Sequence, residues 1–401
     1  MAVLIDPPNF SGRGRLWSHL ASDRSLDELH MFARSAGIPD RGFDRDHYDV
    51  PADRYRALVA MGAQAVSSRD LVARLNAAGL RRRKPQSLGR RSVGQPLLRA
   101  RRLRSGDTVA VVAPSGPVSP EALSAGIRLL ESWGLHVRLG AHADGKHPRL
   151  EYLAADDGSR ADDFMRAWTD PQVAAVFAAR GGYGAQRMVD LLGWTQLAAV
   201  GPKVFCGFSD ITALHQAFAS VLGLATLHGP TISALAQADE DSAEHLRRTL
   251  FEPDRAVEVT GPDRRGTPMQ GGVAEGVLVG GNLTLLAAEL GSPTSRPARD
   301  SIVVLEDVGE EAYRIDRSLT SLLRAGWFTG VRGIAAGQWS DSVRPESVRG
   351  LLLDRLGGLD VPMLWGLPCG HGTANRTIAL GVRARLDADA GTLRLLTPAL
   401  V

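Results

Sequence analysis

Apolar positions in this chain fall into short blocks, and the spacing inside each block predicts its element. Val3-Leu4-Ile5 is a short strand closed by Asp6-Pro7-Pro8. Leu26, Leu29, Phe32 and Ala33 recur at helical spacing behind Ser25, with Glu28 three residues on, a capping-box start. Gly37 and Pro39 stop that helix. The polar run 42–49 reads as a loop, and residues 53–61 and 68–78 as two more helices.

From residue 107 buried strands alternate with helices. Thr108-Val-Ala-Val-Val112 runs into Pro114-Ser115-Gly116, and a helix over 120–133 follows, capped by Gly134. Residues 135–139, 173–177 and 204–206 are further strands, with helices over 162–168 and 211–221. Two of these strands end in glycine-bearing turns, Arg180-Gly181-Gly182-Tyr183-Gly184 and Gly207-Phe208-Ser209-Asp210. The alternation predicts an α/β fold with a doubly wound parallel sheet, whose chemistry belongs at the carboxyl ends of the strands. Residues 236–272 are polar and read as a connection. Beyond them, strands (276–279, 301–305, 333–335, 392–396) mix with helices (282–290, 315–325, 347–355), a smaller mixed α/β lobe. The expected organisation is a small α/β module at 1–80, a linker at 81–104, a lobe at 105–235, a connection at 236–272 and a C-terminal lobe at 273–401.

The chain has 401 residues, 44 % hydrophobic and 23 % charged, the balance of a folded soluble protein of two or three domains. Its apolar runs are far shorter than the ~18 residues of a membrane span, so no membrane contact is expected. No leader with a basic and then an apolar region opens the sequence, and two cysteines, Cys206 and Cys369, provide no disulfide framework, so the cytoplasm is expected. Residues 81–104 hold ten Arg and Lys and no acid, leaving the rest of the chain net acidic. Without interleaved aromatics or a recognition motif, that stretch reads as a solvated linker rather than a nucleic-acid contact.

Three places carry candidate chemistry. Ser209 stands at an abrupt strand-to-helix turn with Gly207 two residues before it, the layout of a nucleophile elbow, although Ile211 replaces the second glycine. Taken alone, Ser209 reads first as a helix cap. The apolar strand Val303-Val304-Leu305 runs straight into Glu306, with Asp307, Glu310 and Glu311 as competing acids, and His371 lies between Gly370 and Gly372. In chain order these make serine, acid, histidine, the order of the α/β-hydrolases. Ser115 is a rival nucleophile at another strand end. A thiol mechanism is rejected, because both cysteines read as small packing residues.

The body, about 103–400, resembles the LD-carboxypeptidases, the serine peptidases that include murein tetrapeptide carboxypeptidases and microcin C self-immunity hydrolases. The resemblance rests on Val-Ala-Pro-Ser (112–115), Ala-Arg-Gly-Gly-Tyr-Gly (179–184), Gly-Phe-Ser-Asp-Ile-Thr (207–212), His-Gly-Pro (228–230), Gly-Gly-Asn-Leu (280–283), Leu-Glu-Asp-Val-Gly-Glu (305–310) and Gly-His-Gly (370–372). It implies Ser209 as nucleophile, His371 as general base and Glu306 as the group orienting it. The oxyanion would be held by the backbone N–H of Asp210 with Gly181 or Gly182. Tyr183, Arg314 and His228 are further candidates for substrate contact. The resemblance also implies a muropeptide substrate ending in a D-residue, a homodimer, and no metal or other cofactor.

Residues 1–80 resemble a short bacterial domain of uncharacterised function through Ile5-Asp6-Pro7-Pro8, Leu16-Trp17-Ser18-His19-Leu20 and the run 41–48. Asp6, His19, Asp44, Asp46 and His47 are of metal- or phosphate-site type, and their spacing reads as structural hydrogen bonding. Two other readings of the chain remain. One is an immunity-type hydrolase of peptidyl-adenylates, with Trp327 and Trp339 available to a nucleobase; the other is a non-catalytic muropeptide-binding regulator.

Overall fold

The computed structural model describes residues 3–12, 15–39, 42–44, 46–80, 93–261, 263–340, 344–372 and 374–401. The chain is mixed α/β throughout and divides into two units, Met1–Lys84 and Pro85–Val401.

In the first unit Val3–Ile5 pairs antiparallel with Arg15–Ser22 and parallel with Gln64–Ala65. Ser25 caps the helix Leu26–Ser35, its Oγ accepting from Glu28 N at 3.1 Å. The Glu28 carboxylate accepts from Ser22 Oγ at 2.6 Å, which ties helix to strand. The expected loop at 42–49 is instead a hairpin of Phe43–Asp44 and His47–Pro51, the latter pairing with Arg15–Ser22. The cause is a period of two hidden by polar residues: Tyr48 and Val50 point into the core while His47 and Asp49 alternate with them.

The second unit holds two sheets. In the six-stranded one, Thr226–His228, Val204–Gly207, Val173–Ala178, Thr108–Val112 and His136–Leu139 are neighbours in that order and parallel. Both faces are covered, as an all-parallel core requires. Val109, Val111, Phe177 and Cys206 pack into one apolar cluster, while Ala110, Val112, Val176 and Phe205 pack into the other. Ser301–Val308 is central in the seven-stranded sheet, between Val273–Asn282 and Gly333–Ser340, parallel to both. The chain returns from there to the first sheet, where Ile378–Leu380 pairs antiparallel with Thr226–His228.

Two expectations about connections change. Residues 236–272 include the helix Glu240–Phe251, which buries Ser242, Leu246 and Leu250 and is capped by Asp239. In the stretch read as a linker, Leu97, Ala100 and Leu103 are buried, and Arg101 and Arg102 pair with Asp107 and Asp254. Apolar residues at every third position anchor this segment to its unit, a signal the arginines masked. The arginines at 81–91 lie outside the described residues. No helix among the described residues is long and apolar enough to cross a membrane.

Candidate active site

Ser209, Glu306 and His371, from three separate elements, meet at one point. Ser209 opens a 3-10 turn, Ser209–Ile211, directly beyond the strand Val204–Gly207. Its φ of 65° lies in the left-handed region, which a non-glycine residue rarely adopts, and such strain is maintained only by well-determined surroundings. Glu306 lies near the end of Ser301–Val308, where the register against the neighbouring strand shifts between Leu305 and Asp307. An irregularity of this kind re-aims side chains. Glu306 and Asp307 are thus consecutive and both buried. His371 sits on the loop after Met363–Trp365.

His371 Nε2 is 2.9 Å from Ser209 Oγ, and its Nδ1 is 2.6 Å from Glu306 Oε2. A carboxylate can only accept, so Nδ1 carries the proton and Nε2 is left as the acceptor of the serine hydroxyl. Burial works to raise the Glu306 pKa; the charge and hydrogen bond of His371, with the nearby His228 imidazole, overcome it, holding the carboxyl at about 2. The Phe208 ring packs on His371 with centroids 4.8 Å apart.

The other acids separate by contact. Asp307 accepts from Asn282 Nδ2 at 2.8 Å and from Thr284 N and Oγ1 at 3.0 and 2.8 Å, fixing the start of Leu283–Ala288. Burial and the neighbouring Glu306 charge push its pKa up. Glu310 faces Arg314, and Glu311 is the N-cap position of Ala312–Arg324. Ser115 is buried and donates to Asp210 Oδ2 at 2.6 Å, so its hydroxyl is a strut. The same oxygen accepts from Ala185 N at 2.7 Å, which joins the loops after three parallel strands. Burial raises the pKa of both cysteines, with the Glu306 charge adding to the effect at Cys369. Neither thiol is therefore disposed to ionise.

Gly181 packs directly on the candidate nucleophile. A Cβ there would lie 2.8 Å from Ser209 Cβ and 3.1 Å from Oγ. The Gly181 carbonyl accepts from Gly116 N at 3.1 Å, and in a trans peptide the following N–H, that of Gly182, points the opposite way. Asp210 N lies in the 3-10 turn itself. Gly181→Ala is expected to lower kcat at least tenfold in a protein that still folds but melts below the wild type, because the added Cβ must displace Ser209. The basis is that misplacing a nucleophile or an oxyanion donor costs roughly 10–1000-fold. Steady-state rates and a melting curve on the same preparation check it.

The remaining candidates fall in different places. Tyr183 is half exposed beside the glycine turn and meets Tyr152 edge-on at 5.6 Å. Arg314 is exposed, donates to Tyr313 Oη at 3.2 Å and faces Glu310 at 3.8 Å, on the first turn of its helix. His228, expected at a substrate, has no exposed surface and stands behind Glu306, Nε2 to Oε1 3.7 Å. It ends its strand beside the one that leads into Ser209, but its complete burial leaves no surface for a ligand to meet. Trp327 and Trp339 are core residues, buried with Leu319 and Ile334.

One supporting group was invisible in the sequence. Asn375 Oδ1 accepts from Gly370 N at 3.1 Å, while Asn375 N donates to Ser242 Oγ at 2.8 Å. Arg376 forms a two-pronged pair with Asp241 at 2.8 and 2.6 Å. The helix Glu240–Phe251 thereby clamps the histidine loop. The contacts with Asp241 and Ser242 join residues more than 130 positions apart, and no local pattern reports them.

A buried carboxylate, an imidazole and a strained hydroxyl in line at the carboxyl end of a parallel sheet are the equipment of a hydrolase suited to acyl transfer. Residues 109–229 match the LD-carboxypeptidase N-terminal domain and residues 275–386 the LD-carboxypeptidase C-terminal domain. Residues 3–78 match a family described only as a protein of unknown function, DUF4031. A candidate carboxypeptidase of Streptomyces coelicolor is 53 % identical over 306 residues, 76 % of this chain and 98 % of that one. The murein tetrapeptide carboxypeptidase of Pseudomonas aeruginosa is 34 % identical over 290 residues, 70 % of this chain and 93 % of that one. Among solved structures, muramoyltetrapeptide carboxypeptidase from Oxalobacter formigenes superimposes with a TM-score of 0.60 at 31 % identity, covering 72 % of this chain and 97 % of that one. The microcin C7 self-immunity protein MccF, in complex with aspartyl sulfamoyl adenosine, shares the fold, with a TM-score of 0.69 at 23 % identity over 76 % of this chain and all of that one. The chain belongs to the LD-carboxypeptidase family and is a peptidase.

Proposed function

We propose that this protein is a serine LD-carboxypeptidase that removes the terminal D-residue of a murein tetrapeptide during turnover of wall fragments in the cytoplasm. The observation that carries the reading is the continuous line Ser209 Oγ, His371 Nε2, His371 Nδ1, Glu306 Oε2, with steps of 2.9 and 2.6 Å across the imidazole. The names of the Pseudomonas and Oxalobacter relatives support the substrate class.

The chemistry follows from those positions. Ser209 Oγ attacks the carbonyl carbon on the L-side of the scissile amide as its proton passes to His371 Nε2. Asp210 N–H and Gly182 N–H meet the developing oxyanion. His371 returns the proton to the departing amine of the D-residue, leaving an acyl-enzyme at Ser209. Water, deprotonated by the same imidazole, attacks the acyl carbon, and His371 passes that proton to Ser209 Oγ as the bond to it breaks and the shortened peptide leaves. Glu306 stays ionised throughout and stabilises the imidazolium in both steps.

The test is a panel of free tetrapeptides ending in D-alanine or L-alanine, together with an aminoacyl-sulfamoyl or peptidyl adenylate, followed by chromatography of products. Release from the D-terminated peptide alone is expected. Turnover of the adenylate alone would replace this reading with the immunity type. Binding of the muropeptide without turnover of any member would indicate a regulator.

A further inference from the structure

We propose that the N-terminal unit carries a site for a divalent first-row transition cation, with His19, His47 and Asp49 as ligands and Asp6 and Asp46 orienting the two imidazoles. The proposal stands on this unit alone and is independent of the peptidase chemistry.

Strand pairing puts the three side chains together. Arg15–Ser22 and His47–Pro51 are antiparallel, with His19 opposite Asp49 and Ala21 opposite His47. Directly opposed residues share a face, as do alternate residues of one strand. His19, His47 and Asp49 therefore project from the same side of the sheet, the side opposite the buried Leu20, Tyr48 and Val50. One ligating atom from each lies within 4.8 Å of the other two. The histidine rings meet edge-on with centroids 5.0 Å apart, and His47 Nε2 is 3.3 Å from Asp49 Oδ1. A cation binding each donor at about 2.1 Å needs them roughly 3 Å apart, which small side-chain rotations supply.

The second observation concerns how the rings are held. His19 Nδ1 is 2.9 Å from Asp6 Oδ2, and His47 Nδ1 is 2.6 Å from Asp46 Oδ1. Asp6 and Asp46 are almost fully buried, at 2 % and 1 % exposure. Asp6 is fixed further by His19 N and Ser68 Oγ, each donating at 2.6 Å. A carboxylate on Nδ1 takes that nitrogen's proton as its hydrogen bond, so the lone pair of each ring is on Nε2. Proteins set metal-binding histidines in this way, because it fixes the tautomer, aims the ring and raises its basicity. Finding it twice, on adjacent rings with a carboxylate between them, is more than structural hydrogen bonding of the segment requires. Asp44, paired in register with His47 on the short hairpin, lies outside the three-residue set.

Two imidazoles and one carboxylate suit zinc, iron(II) or cobalt(II) and are a poor set for magnesium or calcium, which take mainly oxygen ligands. Three protein ligands leave at least one coordination position open. The side chains of His19, His47 and Asp49 are 28 %, 15 % and 43 % exposed, so water or an oxygen of a small ligand can reach that position. The site is of the open, ligand-exchanging kind rather than a closed structural one.

The experiment uses tag-free full-length protein stripped with a chelator and titrated with cobalt(II) under visible absorption, with zinc(II) and iron(II) as competitors and metal content measured by mass spectrometry. One equivalent of cobalt with ligand-field bands, displaced by zinc or iron, is expected. Asp49→Asn, a half-exposed position the fold tolerates, and His47→Gln should each weaken binding about 100-fold, and Asp46→Asn about 10–100-fold. His371→Ala should bind as the wild type does, which separates this site from the peptidase imidazole. A folded wild type that takes up no equivalent of any of the three metals would overturn the proposal. So would an Asp49→Asn variant that binds as tightly as the wild type. A melting curve for each variant separates lost ligands from lost fold; should Asp46→Asn unfold, Asp49→Asn still decides.

Discussion

Ser209→Ala is expected to reduce D-residue release by about 10⁴-fold or more in kcat while leaving the protein folded. Removing the nucleophile of a serine triad costs up to about 10⁶-fold, because the members act as a unit, and what survives comes from oxyanion donors and binding. Here the hydroxyl that His371 Nε2 meets at 2.9 Å has no substitute, since Ser115 is buried and donates to Asp210. Stability gives an independent readout. Ser209 holds φ at 65°, a conformation in which glycine alone avoids a Cβ penalty. Ser209→Ala keeps that penalty and should melt with the wild type, whereas Ser209→Gly relaxes it and should melt slightly higher, with no activity. Melting temperature and product chromatography on the three proteins check both halves. Retention of more than a tenth of the rate by Ser209→Ala would rule out the serine mechanism.

Glu306→Gln is expected to lower kcat by roughly 10³–10⁴-fold, the magnitude seen when an orienting carboxylate of a triad becomes an amide. The glutamine amide can donate to His371 Nδ1, which moves the imidazole proton to Nε2, and that nitrogen then cannot accept from Ser209. Stability should change with a definite pH dependence. The Glu306 pKa is held at about 2 against an ordinary 4.5: burial raises it, and His371 first, with the His228 imidazole close by, overcomes that. A depressed carboxyl pKa contributes stability that is complete above about pH 4.5 and is lost as pH falls toward 2. The wild type should therefore melt above Glu306→Gln at neutral pH, and the gap should close between pH 4.5 and 2. Melting curves across that range decide; a gap that does not change with pH would mean the ionised carboxylate is not what holds the imidazole.

Much of this site was legible in the chain because its parts are local motifs. An apolar strand running into Gly-Phe-Ser-Asp puts a hydroxyl at a strand-to-helix turn, which by itself reads first as a cap, and the ordered acid and histidine motifs beside it made it a candidate nucleophile. A strand that carries Glu306 into the core requires a partner, and His371 supplies it. The polar run 42–49 misled for the opposite reason. Its alternation lies between Tyr48 and Val50 and the charged residues beside them, so the strand that presents His47 and Asp49 looked like a loop. The helix Glu240–Phe251 was concealed in the same way, its buried Ser242 and Leu246 diluted by surface charge.

The sequence by itself determined the α/β class, the alternation of buried strands with helices, the strand ends where chemistry can sit, and the residue types that perform it. These depend on spacing and on a few neighbours, which one chain displays directly. The motif named Glu306 rather than Asp307 as the partner of His371, and the tertiary structure supplied the physical reason, a register shift beside Glu306 and an Asp307 held by Asn282 and Thr284. It also turned Ser115 into a strut, put His228 behind the carboxylate rather than at a substrate, and clamped the histidine loop through Asn375 and Arg376. The contacts that fix these outcomes, Glu306 with His371, Ser115 with Asp210, His228 with Glu306 and the loop with Asp241 and Ser242, join residues about 65 to 135 positions apart, and only the paths of the intervening strands and helices bring such pairs within hydrogen-bond or ion-pair reach.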